Sequence, residues 1–304
     1  MRRVWLGFFV SIAGLTGCKS AAGSKLKIDN GEVIYSQSAN KVEGVFYTET
    51  SGGSGSGGAC TGSAVSTTTA MTAAHCLFNP GDRISSDGLV FGKRYCIDTS
   101  AYKKICSSEI YVDPAYASVA RKAEAHAAND FGYVVFPKGT FKHIFRLNPT
   151  AVAVGDRVVL VGYSEYNLPD SSKGSKRFGY NTVSEIVSEQ RSAIISLYNG
   201  DFHSVAVQPG DSGGPLLKNC LLTGVAHSRG DGNDGDPNGS THTNLTHPEI
   251  LAILKSSPKA YFCGVSGDDE AFCPPASIYT SVESPAAGSR DFPCRLGMVH
   301  SEGH

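Results

Sequence analysis

Short apolar or β-branched segments recur along the chain from about residue 28 to residue 256, and turn-forming residues separate them. The segments are roughly four to eight residues long and are bounded by Gly, Asn, Asp, Ser and Pro. Several alternate between apolar and polar side chains, as antiparallel strands with one buried face do. Examples of the apolar or β-branched segments, alternating or not, are GVFYTET, FGYVVF, GDRVVLVGY and SAIISLY. This pattern predicts an all-β domain built from many short strands.

One segment near the end of this region has helical periodicity instead. It is HPEILAILKSS, residues 247–257, with Pro248 at its start. Its apolar face consists of Ile250, Leu251, Ile253 and Leu254. Residues 257–304 are then rich in Pro, Gly and Ser and contain three cysteines. We expect a C-terminal helix followed by a disulfide-tied extension.

The composition suits an exported protein of this kind. Hydrophobic residues make up 40% of the 304 residues, which is enough for a packed core, and charged residues only 18%. A length of 304 residues allows one large domain or two ordinary ones. The net charge of −1 provides no basic surface, so no nucleic-acid partner is expected.

The N-terminus has the pattern of an export signal. Two arginines precede an apolar run, residues 4–15, that is too short to span a bilayer. We therefore interpret residues 1–17 as a signal peptide and residues 18–27 as a tether or propeptide.

The signal ends in Leu-Thr-Gly-Cys, which resembles the bacterial lipobox. In that motif the cysteine, here Cys18, becomes lipidated and attaches the protein to a membrane. Lys19, rather than Asp, follows it, and by the same resemblance this favours the outer membrane. The alternative is an ordinary signal peptide that is cut nearby, which would leave a secreted protein.

The cysteines indicate disulfides. There are nine, at positions 18, 60, 76, 96, 106, 220, 263, 273 and 294. Removing Cys18 for a lipid leaves an even number, and an exported protein with an even number of cysteines favours disulfides over metal. No Cys-x-x-Cys pair is present, so no metal site is expected.

The segment QPGDSGGPLL, residues 208–217, has the properties of a nucleophile loop. Serine is a poor nucleophile unless a base accepts its proton and donors stabilise the developing oxyanion. Gly210 and Gly213 flank Ser212, so the backbone can bend and expose the hydroxyl. The N–H groups of Gly210 and Ser212 can then point into one oxyanion hole. The alternative is a glycine-rich turn with a surface serine.

Two further segments contain a candidate base and a candidate acid. In TAAHC the base would be His75, and a disulfide from Cys76 to Cys60, 16 residues earlier, would fix its loop. In NDFGYVVF, Asp130 precedes an apolar strand, where a buried carboxylate needs a partner such as the other imidazole nitrogen. Taken alone, His75 could be a structural histidine and Asp130 a turn residue.

The order His75, Asp130, Ser212 resembles that of the trypsin/chymotrypsin-like serine proteases. The resemblance covers about residues 28–256. It implies two packed six-stranded antiparallel β-barrels with the site between them and a C-terminal helix. It also implies a Ser-His-Asp triad that acts on protein or peptide substrates and needs no cofactor.

The resemblance extends to KIDNGEVIY, residues 27–35, which is similar to the family's activation site. An activating protease would cut after Lys27, and the new α-amino group of Ile28 would pair with Asp211. The cut would also separate the enzyme from the lipid on Cys18. The alternative is that IDNGE is a simple turn and that Asp211 has another partner.

Substrate specificity depends on the residues around the expected pocket. By resemblance, Ala206 occupies the position where trypsin-like enzymes have an Asp, which argues against cleavage after Lys or Arg. His227 and Ser228 lie on the expected pocket wall. A cation from His227 or Arg229 would favour an acidic residue, as in bacterial glutamyl endopeptidases. A preference for small or apolar residues remains equally open.

The remaining features leave several possibilities. Cys96 and Cys106 could close a hairpin, while Cys220 could pair with Cys263, Cys273 or Cys294. The polar segment 229–242 is interpreted as a solvated specificity loop, with half a calcium-loop motif as the alternative.

The sequence as a whole predicts a serine endopeptidase. One alternative is a catalytically silent binding or adhesion protein on the same scaffold, since fold does not imply function. Another is an esterase-like hydrolase that uses the same three residues.

Overall fold

The structure is a computed structural model, and it describes somewhat more than half of the chain. The described residues are 32–33, 44–49, 59–98, 104–120, 129–163, 176–187, 193–197, 207–229, 239–267, 269, 271–273, 294 and 297–298. The signal peptide and tether predicted for residues 1–27 lie outside these ranges.

The described residues form mostly short strands. The strands are β1 Glu32–Val33, β2 Val45–Glu49, β3 Ala59–Ala64, β4 Thr69–Thr72, β5 Cys96–Asp98, β6 Lys104–Cys106, β7 Glu109–Val112, β8 Gly132–Val135, β9 His143–Ile144, β10 Arg157–Tyr163, β11 Lys176–Val187, β12 Ala193–Leu197, β13 Pro215–Lys218, β14 Leu221–Arg229, β15 Gly239–Asn244 and β16 Gly297–Met298. The helices are a 3-10 turn at Ala74–Cys76, α1 at Pro114–Ala120 and α2 at Pro248–Ser256. The predicted all-β architecture with a C-terminal helix is confirmed.

The N-terminal half forms an antiparallel sheet with the order β2-β3-β4-β8-β7. An isolated bridge from Leu89 to Tyr111 extends it beyond β7, and β5 and β6 form a separate hairpin. Five strands are thus described here, where six were expected, because only this single bridge forms at the position of the sixth.

The C-terminal half forms a closed antiparallel barrel. Its strands follow the order β11-β10-β13-β14-β15-β12, and β12 pairs back onto β11. The barrel therefore has the predicted six strands. Strand β1 adds to the edge of β11, with Glu32 opposite Phe178 and Val33 opposite Arg177.

Strands at the junction of the two halves bury both faces. On β10, Val158 and Leu160 belong to the interior of the closed barrel, whereas Val159 and Val161 belong to a second apolar cluster outside it. Successive side chains of a strand point to opposite faces, so both clusters use the same strand. This explains why the segment GDRVVLVGY is continuously apolar instead of alternating.

Helix α2 packs against this second cluster. Its residues Ile250 and Leu254 are fully buried there together with Phe262, which follows the helix. The chain then returns to the first sheet, where Cys263 N donates to Val65 O at 3.0 Å and Thr67 N donates to Phe272 O at 3.1 Å. The segment after the helix is thus part of the core.

Four disulfides join the eight described cysteines. The pairs are Cys60–Cys76, Cys96–Cys106, Cys220–Cys294 and Cys263–Cys273. The Cys220–Cys294 bond attaches the C-terminal extension to the β13–β14 hairpin of the closed barrel. Three residues after Cys294, strand β16 begins and pairs with β9, which lies before β10 in the sequence.

Candidate active site

His75 lies on the 3-10 turn Ala74–Cys76, which begins two residues after strand β4 ends at Thr72. Ala74 is fully buried, so the turn packs closely on the barrel. The disulfide between Cys76 and Cys60 attaches the end of the turn to β3. The side chain of His75 is 35% exposed. The imidazole is therefore partly accessible to solvent. The backbone that carries it is fixed by the disulfide and by packing.

Asp130 binds His75 at two points. His75 Nδ1 lies 2.6 Å from Asp130 Oδ2, and the backbone N–H of His75 donates to Oδ1 at 2.8 Å. Asp130 is fully buried, and its carbonyl accepts a hydrogen bond from Thr243 Oγ1 of β15 at 3.0 Å. Because Nδ1 faces the carboxylate, Nε2 of His75 is the nitrogen that can accept a proton.

Burial and charge oppose each other in this pair. Burial lowers the pKa of His75, but the charge and hydrogen bond of Asp130 outweigh it, and the pKa is raised above the ordinary 6.5. Burial raises the pKa of Asp130, while the charges and hydrogen bonds of His75 and His227 hold it well below its usual range. The site stabilises an ionised carboxylate beside a cationic imidazole.

His227 of β14 also binds this carboxylate. Its Nδ1 hydrogen-bonds Asp130 Oδ2, and its ring lies edge-on to His75 with centroids 5.8 Å apart. The pairing of β14 with β15 shifts register between Ala226 and Ser228. Such an irregularity changes the direction of a strand side chain. The structure thus places this predicted pocket residue against the acid of the site.

Ser212 lies on a tight loop just before β13. Gly210 and Gly213 on either side have φ values of 96° and 81°, which other residues adopt only with strain. A Cβ on Gly213 would lie 2.0 Å from Thr72 Oγ1 and 2.7 Å from Ala73 N. The loop is therefore in direct contact with the segment that leads into His75.

Ser212 and His75 lie on neighbouring segments without a hydrogen bond between their side chains. Within the part of the chain that the structure describes, no hydrogen bond joins the two side chains. Contacts of this kind are often long without substrate and tighten when it binds. The structure thus brings His75 and Asp130 into contact and places Ser212 on the adjacent loop.

The backbone of the loop leaves two donors available. Among the described residues, the amides of Gly210 and Ser212 donate no hydrogen bond. Between them, Asp211 O accepts from Gly214 N at 2.8 Å, which fixes the peptide unit that contains the Ser212 amide. Two uncommitted amides beside a serine are what an oxyanion requires.

Asp211 is almost completely buried behind this loop. Its Oδ2 accepts a hydrogen bond from Gln208 N at 2.8 Å, and 1% of the residue is exposed. The carboxylate rests on Gly162 of β10, where a Cβ would lie 2.2 Å from Asp211 Oδ1. Only glycine at position 162 leaves room for the carboxylate.

The predicted pocket is described in part. Ser228 follows His227 on β14 and is half-buried, and Ala206 lies outside the described residues. Behind His227, on β15, His242 is fully buried and its Nε2 lies 3.0 Å from Ser240 Oγ. Burial and the charge of His227 lower the pKa of His242 to about 3, so this imidazole is neutral.

Several predicted features lie outside the described residues. They are the lipidation site Cys18, the cleavage site at Lys27 and Ile28, and residues 230–238 of the polar loop. The calcium-loop alternative for residues 229–242 therefore stays a prediction.

Two clusters of side chains have the composition of a metal site. Cys60 and Cys76 beside His75 are joined in a disulfide and offer no thiolate. His75, Asp130 and His227 place ligand atoms within 4.8 Å of one another. In this second cluster both imidazoles hydrogen-bond the carboxylate directly, so its short distances are explained without an ion.

Comparison with known proteins agrees with this geometry. The sequence model of the family described as Trypsin matches residues 37–247, more than half of the chain. The chain belongs to the trypsin family. The match spans His75, Asp130 and Ser212 together with strands β2 to β15.

A solved structure described as a Glu endopeptidase in complex with MPD is similar to this member of the trypsin family, with a TM-score of 0.51 and 16% sequence identity. The similarity covers 76% of this chain and 100% of that one. At this identity the likeness concerns the fold alone. No curated protein is a detectable sequence relative.

The covalent structure indicates an oxidising compartment. The disulfides and membership of the trypsin family both favour an extracytoplasmic protein. Among the described residues, neither helix has the length and apolar character needed to cross a membrane.

Two features of the site were not predicted from the sequence. One is the contact of His227 with Asp130, which depends on a register shift in β14. The other is Thr61, whose backbone N–H donates to Ser212 O at 2.7 Å and whose Oγ1 donates to Gly210 O at 2.9 Å. Its position directly after Cys60 was the only signal, since a disulfide to the histidine turn places its neighbour close to the site.

Proposed function

We propose that this protein is a serine endopeptidase. Ser212 Oγ attacks the scissile carbonyl while its proton passes to His75 Nε2, and the same proton then goes to the leaving amine. Water hydrolyses the resulting acyl-enzyme by the reverse sequence. Asp130 orients His75 and stabilises its cation, and the amides of Gly210 and Ser212 bind the oxyanion.

The observation that carries this proposal is the two-point contact between Asp130 and His75. A carboxylate that binds both Nδ1 and the backbone N–H fixes the orientation and the tautomer of one imidazole. A histidine that only supports the fold would not need this two-point contact next to the loop that contains Ser212. A binding protein on the same scaffold would have no need of it either.

The test uses residues 19–304, treated with a limited amount of trypsin and then incubated with a fluorophosphonate probe and with casein. We expect labelling and digestion by the wild type, and loss of both in Ser212→Ala. The matched control is Ser256→Ala, which makes the same change at an exposed serine on α2. Labelling without casein digestion, but with ester hydrolysis, would support the esterase. Absence of labelling would support the silent binding protein.

Activation by a cut after Lys27 is part of the proposal, and the register of β1 supports it. Val33 pairs with Arg177 of β11, and Arg177 pairs with Gly162 of β10, on which Asp211 rests. Val33 and Gly162 are thus two strand spacings apart, which is about 10 Å. The five residues from Ile28 to Glu32 can span about 17 Å when extended. A new N-terminus at Ile28 can therefore reach Asp211.

Sequencing of the N-terminus before and after activation tests this step. We expect Ile28 to be the first residue of the active form, and Lys27→Ala to remain inactive after treatment with trypsin. If Cys18 carries a lipid, the same cut releases the enzyme from the outer membrane. Detection of an active form that is still lipidated would exclude this release.

We further propose that acidic residues are favoured at the cleaved bond. His227 Nδ1 hydrogen-bonds Asp130, which leaves its Nε2 to donate to a substrate carboxylate when the imidazole is protonated. The solved structure with a similar fold is described as a Glu endopeptidase. Small or apolar residues are the competing preference.

Matched peptides that differ only at the cleaved position test the preference. We expect cleavage after Glu to exceed cleavage after Ala or Lys, and His227→Gln to lose most of the advantage of Glu. Faster cleavage after Ala would favour a small apolar pocket.

A further inference from the structure

We propose that Thr61 is a positioning residue for the reaction, because its hydroxyl fixes the loop that forms the oxyanion hole. The inference rests on the proposed endopeptidase function and adds to it a residue outside the Ser-His-Asp set. Thr61 does not touch the reacting atoms. It acts through the carbonyl groups on either side of Asp211.

Thr61 uses every polar atom that it has. On β3, its N–H donates to Ser212 O at 2.7 Å, and its carbonyl accepts from Thr72 Oγ1 at 2.8 Å. Its Oγ1 donates to Gly210 O at 2.9 Å and accepts from Tyr163 N at 2.9 Å. The residue is fully buried, so no water replaces these partners.

These contacts fix three consecutive carbonyl groups. Gly210 O and Ser212 O are bound by Thr61, and Asp211 O between them is bound by Gly214 N. A peptide unit is planar, so a fixed carbonyl also fixes the direction of the following N–H. The bound Asp211 carbonyl fixes the direction of the Ser212 N–H. The bound Gly210 carbonyl fixes the backbone that follows the Gly210 amide.

The side-chain hydroxyl also joins the two halves of the protein. Tyr163 ends strand β10 of the closed barrel, while Thr61 belongs to the sheet of the N-terminal half. One hydroxyl therefore bridges the first sheet, the closed barrel and the nucleophile loop. Without it, a buried acceptor on Gly210 and a partly buried donor on Tyr163 would both lose their partner.

The experiment compares Thr61→Val with Thr61→Ser in the activated enzyme. Valine has nearly the same shape without the hydroxyl, and serine keeps the hydroxyl. Active enzyme is counted by titration with the fluorophosphonate, and kcat and KM are measured on a peptide amide. A peptide aldehyde, which forms a tetrahedral oxyanion adduct with the serine, reports on the oxyanion hole separately.

We expect Thr61→Val to lower kcat about 10- to 100-fold, as displacement of a positioned group by about 1 Å does, with KM changed less than about threefold. The inhibition constant of the aldehyde should rise by a similar factor. Thr61→Ser should recover kcat to within a few-fold of the wild type. The control is Thr69→Val, a fully buried threonine whose hydroxyl accepts a hydrogen bond from Tyr261 N.

Normal kcat and aldehyde affinity in Thr61→Val would overturn the inference. So would a Thr61→Ser variant that folds yet is as slow as Thr61→Val. If Thr61→Val does not fold, Thr61→Ala measured against Thr61→Ser gives the same comparison. An inactive wild type would instead contradict the proposed function, so the two failures are distinguishable.

Discussion

At the scale of single residues, the charge of Asp130 dominates the site. It is fully buried, and two imidazoles share one of its oxygens. A buried charge is tolerated only when it is paired and hydrogen-bonded. Both nitrogen atoms that face it are therefore held as donors, and the basicity of His75 depends on this one carboxylate.

The pH profile should report that dependence. The pKa of His75 is raised, and the neutral form is the base, so activity should be lost as the pH falls through a value above 6.5. Asp130→Asn removes the charge, so the acid limb should move to lower pH and kcat should fall on the order of 10⁴-fold. The measurement is kcat/KM against pH for both enzymes. An acid limb that does not move in Asp130→Asn would contradict the assignment.

The buried His242 should make the fold sensitive to acid. Its pKa is lowered to about 3, so below pH 6.5 the unfolded chain binds a proton that the folded protein does not. Stability is full above that pH and should decrease by about 1.4 kcal/mol per pH unit below it. Urea unfolding at pH 7.5 and pH 5 measures the decrease. His242→Gln should lose less stability than the wild type over this interval, and equal losses would exclude the effect.

At the scale of elements, strand β10 contacts two apolar clusters and two residues of the site. Its alternate residues fill two apolar clusters, its last amide reaches Thr61, and its glycine receives Asp211. A single strand thus connects core packing to the geometry of the nucleophile loop.

Substitution of that glycine should disable the site without unfolding the barrel. A Cβ in Gly162→Ala would lie 2.2 Å from Asp211 Oδ1, so the carboxylate must move. Movement of the loop by about 1 Å should lower kcat on the order of 100-fold. Gly81→Ala is the matched control, since no atom lies within 4 Å of its Cβ position. Full activity in Gly162→Ala, measured on titrated enzyme, would show that the loop tolerates the shift.

Whether the role of a site residue could be predicted depends on how far along the chain its partners lie. His75, Asp130 and Ser212 stand in short motifs whose local chemistry is readable from neighbouring residues. The strands and helix α2 were similarly predictable from periodicity. The roles of Thr61 and Gly162 were not, because their partners lie roughly 50 to 150 positions away and are brought close only by barrel packing. The contact of His227 depends in addition on a register shift that no periodicity encodes.

At the scale of the whole molecule, disulfides connect distant parts of the chain. The Cys220–Cys294 bond closes a loop of 74 residues, and the Cys96–Cys106 bond a loop of 10. Longer loops restrict the unfolded chain more strongly.

Removal of the longer cross-link should therefore cost more stability. We expect about 4 kcal/mol for the Cys220→Ala, Cys294→Ala pair and about 3 kcal/mol for the Cys96→Ala, Cys106→Ala pair. Thermal unfolding of the two variants beside the wild type compares them directly. A larger loss from the short hairpin would show that native packing, and not restriction of the unfolded chain, sets the order.

The return of the chain to the first sheet after helix α2 affects the order in which the protein can fold. Val65 and Thr67 form hydrogen bonds with Cys263 and Phe272, which are among the last residues described. The N-terminal half therefore completes its hydrogen bonding only when the segment after helix α2 is present. If the chain folds from its N-terminus onward, the first sheet gains these last hydrogen bonds only when the segment that contains Cys263 and Phe272 arrives.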